Sequence, residues 1–327
     1  MNSISDLARR VRRTILLGMA GAAMLGANAR AETTVSLDYA YYNPVSLVLK
    51  DKHWVEEALG PDVTVQWVYS AGSNKALEYL NARSIDFGST AGAAALLGRA
   101  NGNPIKSVYV YSKPEWTALV TRADSPIKTV ADLRGKRIAV TRGTDPHIFL
   151  LRALASAGLG ERDVKIIPLQ HVDGRIALDN GNVDAWSGLD PFMAQAELES
   201  HDRLFFRNPD LNTYGILNVR EAFLAEHPDQ VEKVIAAYER ARHWALEHKD
   251  ELAQTLAAAA KLSPEVAARQ LERTDLTNPV LGDGPRQSIA AAGAVLKASG
   301  VVPDDTDTDK VLADLLEPRF TRQLAAR

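Results

Sequence analysis

From residue 33 onward the chain alternates between two hydrophobic rhythms. Residues 35–39 and 63–69 alternate apolar and polar side chains with period two, as half-buried strands do. Between them and after them, over 45–59 and from Ser73 through 81, apolar positions recur three and four apart and predict amphipathic helices. The alternation continues with a short strand at 85–87, a loop over 88–92 that opens a helix, and a strand at 105–111. A second set of strands follows at 117–121, 137–141, 164–168, 183–187 and 203–206, with helices between them. Residues 214–219 return as a strand, and beyond Glu221 the pattern is almost wholly helical, with long runs at 228–248, 264–274 and 285–300. Strands alternating with helices across short loops predict an α/β fold with much parallel pairing. Connections near 117–121 and 214–219 predict two lobes joined by two crossings.

Open α/β sheets bind ligands beyond the carboxyl ends of their strands, and four loops fall there. They are Tyr41-Tyr42-Asn43-Pro44, Ser70-Ala71-Gly72, Ser89-Thr90-Ala91-Gly92 and Gly143-Thr144-Asp145-Pro146-His147. Small residues at a helix start leave backbone amides free, which suits an anion or a polar ligand head. Any one such loop can be no more than a capped turn; the recurrence of the pattern makes a cleft the expectation. Asp145 directly precedes Pro146, which fits a helix N-cap with proline at the next position. The alternative is that its carboxylate grips a ligand amine. As a cap it leaves an anionic head to the amides of residues 70–72 and 90–92. Trp116, following Glu115 where the first strand set hands over to the second, is a candidate cleft wall. So are Trp186, with Asp190 one loop beyond, and Tyr214 at the return. Ordinary core packing is the alternative for both tryptophans, and for Trp186 the cleft wall is the preferred reading.

Composition narrows the class. The 327 residues are 46% hydrophobic and 24% charged, an ordinary globular balance, with a net charge of −3. Arg9, Arg10, Arg12 and Arg13, an apolar stretch over 15–25 and Ala29-Arg30-Ala31 read as a secretory leader cleaved before Glu32. Arg12-Arg13 loosely matches a twin-arginine signal, but general secretion is the preferred reading. Residues 1–31 hold five arginines against Asp6, so their loss takes the charge from −3 to about −7. A mildly acidic body argues against nucleic acid as a partner. There is no cysteine, which excludes thiol catalysis, Cys-based zinc and a lipid-anchor cysteine. Periplasmic export as a freely soluble protein is the expectation. Gly88-Ser89-Thr90-Ala91-Gly92 lacks the central serine of a nucleophile elbow, and Gly135-Lys136 lacks the rest of a P-loop. No catalytic residue, metal or cofactor is expected.

Two further segments carry a resemblance. One runs from Ser125 to Gly158: a turn at Val130 to Leu133, Gly135, a basic-flanked strand, the Gly143 loop and a helix opening at Pro146. The other is Gly181-Asn182-Val183-Asp184-Ala185-Trp186 leading to Leu189-Asp190-Pro191-Phe192. In this order and spacing they resemble the extracytoplasmic solute-binding proteins of ABC importers, in the branch of the aliphatic sulfonate, taurine and nitrate binders, across roughly 34–219. The resemblance implies a two-lobed periplasmic binding protein fold, type II-like, each lobe a mixed sheet flanked by helices, with a helical C-terminal region. Residues 32–116 and 220–327 would form lobe 1, and 117–219 lobe 2. It implies a monomer that captures a small organic anion and delivers it to an inner-membrane ABC permease with its cytoplasmic ATPase. The alternatives are nitrate, an aromatic carboxylate, a pyrimidine or an amine-bearing solute, and a pyrimidine-precursor synthase-like enzyme on the same fold. The resemblance also assigns ligand contacts to the four loops, including Tyr42, Asn43, Ser70, Gly72, Thr90, Ala91, Gly92, Gly143, Thr144 and His147. Asp145 departs from it, because related sulfonate binders commonly carry serines between this glycine and the histidine.

Overall fold

The computed structural model describes residues 33–322 and Leu324. The expected leader and its cleavage site lie outside the described residues. The first strand set comprises β1 (Thr33–Tyr39), β2 (Val63–Tyr69), β3 (Phe87–Ala91) and β4 (Ile105–Pro114). Its helices are α1 (Pro44–Lys52), α2 (Trp54–Leu59), α3 (Ser73–Asn81) and α4 (Gly92–Ala100). The second set comprises β5 (Leu119–Thr121), β6 (Arg137–Val140), β7 (Lys165–Pro168), β8 (Ala185–Ser187) and β9 (Arg203–Phe206). Between these strands lie α5 (Asp145–Ser156), α6 (His171–Asp179) and α7 (Phe192–Glu199). The chain returns as β10 (Gly215–Arg220) and continues through α8 (Glu221–Glu226), α9 (Pro228–Glu247), α10 (Lys249–Ala260) and α11 (Pro264–Glu272). It ends with β11 (Thr274–Asp275), α12 (Asp283–Ala298) and α13 (Thr308–Leu315).

The strands form two separate sheets. One has the order β11-β4-β10-β3-β1-β2, the other β7-β6-β8-β5-β9. Pairing is mixed in both: β1 and β3 are parallel, as are β6 with β7 and β8, whereas β10 runs antiparallel to β3 and β4, and β5 to β8 and β9. The connecting helices cover the sheets with apolar faces. Leu37, Phe87, Tyr109 and Leu217 pack in one cluster with Val231, Val234 and Tyr238 of α9. In the second sheet Ile138 and Val140 meet Phe149 and Leu150 of α5. Each such side chain taken fully out of water contributes about 1.5–3 kcal/mol, which is why the helices lie where their apolar stripes dictate.

Three sequence expectations change. The helix over 45–59 breaks at His53, whose φ of 54° closes α1 and starts α2. The stretch 88–92 is not a loop: β3 runs through Ala91, wholly buried. Small side chains fit that crowded position, and its two hydroxyl residues are paired. Asp38 Oδ1 accepts from the Ser89 amide at 2.8 Å and hydroxyl at 2.9 Å, and Asn218 Nδ2 donates to Thr90 Oγ1 at 2.8 Å. Trp186, a candidate cleft wall, lies instead fully buried in the core of the second sheet, among Val120, Ala139 and Leu178. Its indole packs under α6, where Gly174 leaves it room.

That contact yields a test. A Cβ on Gly174 would lie 2.7 Å from Trp186 Nε1 and 2.8 Å from Cδ1, and a fully buried indole has nowhere to go. Gly174→Ala should destabilise the fold by about 1–3 kcal/mol, against about 0.5 kcal/mol or less for Gly160→Ala. The control suits the purpose because a Cβ on Gly160 meets nothing within 4 Å. Urea titration of both variants checks this; equal stabilities would contradict the packing described.

Candidate functional site

Several helices begin where strands end, among them α3 after β2, α4 after β3, α5 after β6 and α6 after β7. Their N-cap residues are Gly72, Ala91, Thr144 and Gln170, and none of them caps its helix with a side-chain hydrogen bond. The first amides of a helix have no partner within it, and the helix dipole adds partial positive charge there. Two of these starts, α3 from the first sheet and α6 from the second, meet face to face. A Cβ on Gly72 would lie 2.8 Å from His171 Nε2 and 2.9 Å from Asn74 Oδ1. Glycine is therefore required for the two helix starts to approach this closely.

His171 opens α6 and is 1% exposed. Its Nδ1 lies 3.2 Å from Thr141 Oγ1, and that hydroxyl donates to the Leu169 carbonyl at 2.8 Å. With the hydroxyl proton committed to Leu169, Thr141 accepts from His171, so Nδ1 carries the hydrogen and Nε2 a bare lone pair. Burial pulls the His171 pKa down to about 3, keeping the ring neutral at pH 7. His171 Nε2 has no partner, nor do the buried Ser70 Oγ and Asn74 Oδ1 beside α3. Both ring nitrogens of His147, on the first turn of α5, are also unpaired; burial and then Arg142 lower its pKa to about 4. Buried polar atoms are nearly always paired, so these unpaired atoms leave hydrogen-bonding capacity beside the starts of α3, α5 and α6. Surface grooves elsewhere, such as one of about 590 Å³ beside α5 and α12, are lined by neither Gly72 nor His171.

The start of α4 is different, and the expectation for residues 90–92 is corrected. The Ala91 amide donates to Ser73 Oγ at 3.0 Å, Gly92 to the Tyr214 carbonyl at 2.9 Å, and Ala93 to Thr213 Oγ1 at 3.2 Å. These amides already have acceptors.

The N-cap expectation for Asp145 is also corrected. Thr144 occupies the cap position, although its hydroxyl turns back to the Thr141 carbonyl at 2.6 Å. Gly143 permits that turn with a φ of +75°. Asp145 is the first helical residue and 1% exposed. Its carboxylate accepts from Trp116 Nε1 at 2.8 Å, from the Thr213 amide at 2.9 Å and from the Thr213 hydroxyl at 2.6 Å. Burial raises its pKa and these hydrogen bonds oppose the rise. The carboxylate thus ties both chain crossings to α5 and is not available to an amine.

Other candidates have structural partners. Trp116 is buried edge-on to Tyr42, with ring centroids 6.0 Å apart. The Tyr42 hydroxyl donates to the Ser89 carbonyl at 2.9 Å, and Asn43 Nδ2 to Ser89 Oγ at 2.8 Å. Beneath them burial pushes Asp38 up to about 7. The Ser70 hydroxyl is near enough to pull that value back, although neither it nor Asp38 Oδ2 has a well-aligned partner. Glu115 is gripped by Arg207 through two 2.8 Å bonds. Asp190 accepts the Ala194 amide at 2.8 Å and lies 3.5 Å from Arg273. The Tyr214 ring faces Gly284 of α12 and lies 5.9 Å from the Lys113 ammonium. His171, Asn74, Thr141 and Thr213 had no place among the sequence candidates. The signal for His171 was available: Leu169-Gln170-His171 is a strand-to-helix junction like Ser70-Ala71-Gly72.

Residues 51–252 match the family described as NMT1/THI5 like. The chain belongs to the NMT1/THI5-like family. Among its relatives, a protein of Escherichia coli (strain K12) named as an aliphatic sulfonates-binding protein is 33% identical over 230 residues, covering 70% of this chain and 72% of the relative. The alkanesulfonate-binding protein from Xanthomonas axonopodis pv. citri, solved bound to MOPS, superposes with a TM-score of 0.79 at 26% identity, covering 87% of this chain and 98% of that one. The periplasmic aliphatic sulphonate binding protein of Escherichia coli gives 0.75 at 27% identity, over 87% of this chain and 92% of that one. The two-sheet architecture is therefore the periplasmic binding protein fold of these sulfonate-binding relatives.

Two measurements probe the geometry. Asp145→Ala strands a buried indole N–H, an amide and a hydroxyl, so it should cost about 3 kcal/mol or more, above the roughly 0.5–2 kcal/mol of a lost cap. Denaturation showing a loss under about 1 kcal/mol would contradict the three-bond tie. The second concerns pH. With a folded pKa of about 7 against about 4 unfolded, Asp38 binds more protons in the folded state across that interval. Its contribution is fully present below about pH 4 and is lost as pH rises through 7. Asp38→Asn lacks that titration, so its stability relative to wild type should rise between about pH 4 and pH 7. A difference that stays flat would show that Asp38 does not titrate with a raised pKa.

Proposed function

We propose that this protein is the periplasmic solute-binding component of an ABC importer and captures an aliphatic sulfonate between two lobes. Lobe 1 comprises 32–116 and 215–327 and lobe 2 comprises 117–214, a shift from the boundary at 219 that the sequence suggests, because β10 pairs with β3 and β4 of the first sheet. The observation that carries the reading is the meeting of the uncapped starts of α3 and α6 at Gly72 and His171. Two sets of open amides, one from each sheet, suit an anion whose oxygens are spread over a tetrahedral head. A solute held by both lobes stabilises the closed form relative to the open one, and the closed form is what the permease with its ATPase receives. The names and binding partners of the relatives support the same class of solute. Among the described residues no helix is long and apolar enough to cross a membrane. Export with loss of residues 1–31 completes the reading, and the exported protein acts as a monomer and as a binder rather than a catalyst.

Calorimetry with C2 to C5 alkanesulfonates should give micromolar dissociation constants, about −8 kcal/mol. Gly72→Ala places a Cβ 2.8 Å from His171 Nε2 and should weaken that binding by about tenfold or more, roughly 1.4 kcal/mol. A protein that ignores every sulfonate and binds an alkylammonium ion instead would overturn the reading.

A further inference from the structure

Where α7 packs on α11, charged side chains from the two sheets interlock. Glu197 of α7 accepts from Arg269 Nη1 of α11 at 3.1 Å and from Arg273 Nη2 just beyond that helix. Arg273 Nη1 also lies 3.5 Å from Asp190 Oδ2, ahead of α7. Past the end of β4, Glu115 takes two 2.8 Å bonds from Arg207, which follows β9. The Glu115 amide donates to the Arg273 carbonyl at 2.7 Å, so the two groups are continuous. Three acids thus face three arginines, and each of these four ion pairs joins the first sheet's side to the second's. Glu115, Arg269 and Arg273 stand with the first sheet; Asp190, Glu197 and Arg207 stand with the second. Arg269 additionally pairs with Glu272 on its own helix at 3.0 Å. Pairs that span the two sheets add nothing to the packing of either alone; their energy depends on how the sheets are placed.

The Arg273 and Asp190 side chains are 5% and 1% exposed, yet Arg273 Nη1 and Asp190 Oδ2 lack an aligned hydrogen-bond partner. A small approach of α7 to α11 is therefore favourable. Parted, the six side chains regain hydration, which makes the network a bias between arrangements and not a permanent joint. The contact of α5 with α12 is of another kind: Ile148 packs against Ala292 and Leu296 without charge. We infer that Glu197, Arg269 and Arg273 are positioning residues that hold the two lobes in the arrangement competent to keep the solute. This assignment rests on the two-lobed solute-binding reading, though not on the identity of the solute. A competent arrangement populated only in part weakens the apparent affinity by that fraction. Loosening the network thus lowers affinity while the contacts offered by α3 and α6 stay as they are.

The test is a double-mutant cycle read by two methods. Glu197→Gln keeps the shape of the side chain and removes its charge. Calorimetry with C2 to C5 alkanesulfonates should show it binding about threefold to tenfold more weakly than wild type. Arg269→Gln should weaken binding in the same direction. The double variant should bind within about twofold of Glu197→Gln alone, because both changes remove one shared contact. Small-angle X-ray scattering without solute should give a larger radius of gyration for Glu197→Gln than for wild type. At saturating alkanesulfonate the two radii should coincide. An affinity change under about twofold for Glu197→Gln would overturn the assignment, as would independent, additive losses in the cycle. Weaker binding with unchanged solute-free dimensions would overturn it too, because the effect would then lie at the solute contacts. If wild type binds no alkanesulfonate, the sulfonate reading fails and the solute-free scattering decides the network by itself. Expansion of Glu197→Gln then supports the assignment, and equal radii overturn it.

Discussion

A single buried carboxylate holds the two halves of the molecule in register. Asp145 accepts three hydrogen bonds, one from Trp116 on the outgoing crossing and two from Thr213 on the return. Thr213 Oγ1 also accepts the Ala93 amide, so the tie continues into the first turn of α4. The start of α5 in the second sheet is thereby fixed to the start of α4 in the first. A charge this deeply buried is tolerable only with its lone pairs occupied, which constrains the conformations of both crossings near Trp116 and Thr213.

The same physics explains why the seam between α3 and α6 is unlike its surroundings. At α4 the Ala91, Gly92 and Ala93 amides have found acceptors from the protein, which makes that helix start a structural joint. At α3 and α6 the caps are Gly72 and Gln170, which supply no side-chain hydrogen bond, and the neighbouring side chains leave atoms unpaired. Unsatisfied buried groups cost roughly 1–3 kcal/mol each. That cost is offset when a solute supplies the missing partners, so occupancy and closure are energetically one event.

Much of this was legible in the sequence, for reasons that can be named. Alternation over 63–69 gave β2, which is half-buried as period two implies, whereas alternation over 35–39 gave β1 although its polar positions Ser36 and Asp38 are buried as well. Gly72 and Gly143 pointed to helix starts because backbone approach and positive φ both need glycine. What local pattern cannot show is which partner a polar side chain finds across the fold. Asp145 before Pro146 carries the signature of a cap, yet its partners are 29 and 68 residues away. Ser89 and Thr90 read as a loop because hydroxyls are common in turns, whereas Asp38 and Asn218, distant in sequence, make them acceptable in a buried strand. Trp186 read as a wall, but the groove left by Gly174 claims it for the core. The strand-to-helix junction at His171 is readable in the sequence, but nothing near it reveals that Gly72 lies opposite.

The central claim is that α3 and α6 close on an anion, and the distance between those helices measures it most directly. The chain contains no cysteine, so Glu78→Cys on α3 and Ile176→Cys on α6, both at exposed positions, can carry a pair of spin labels without background. Pulsed electron–electron dipolar spectroscopy then reads the separation with and without a saturating alkanesulfonate. The account predicts a shorter and narrower distance distribution with the sulfonate, and no change with an alkylammonium ion of the same length. A distribution unaltered by a sulfonate that calorimetry shows to be bound would contradict it.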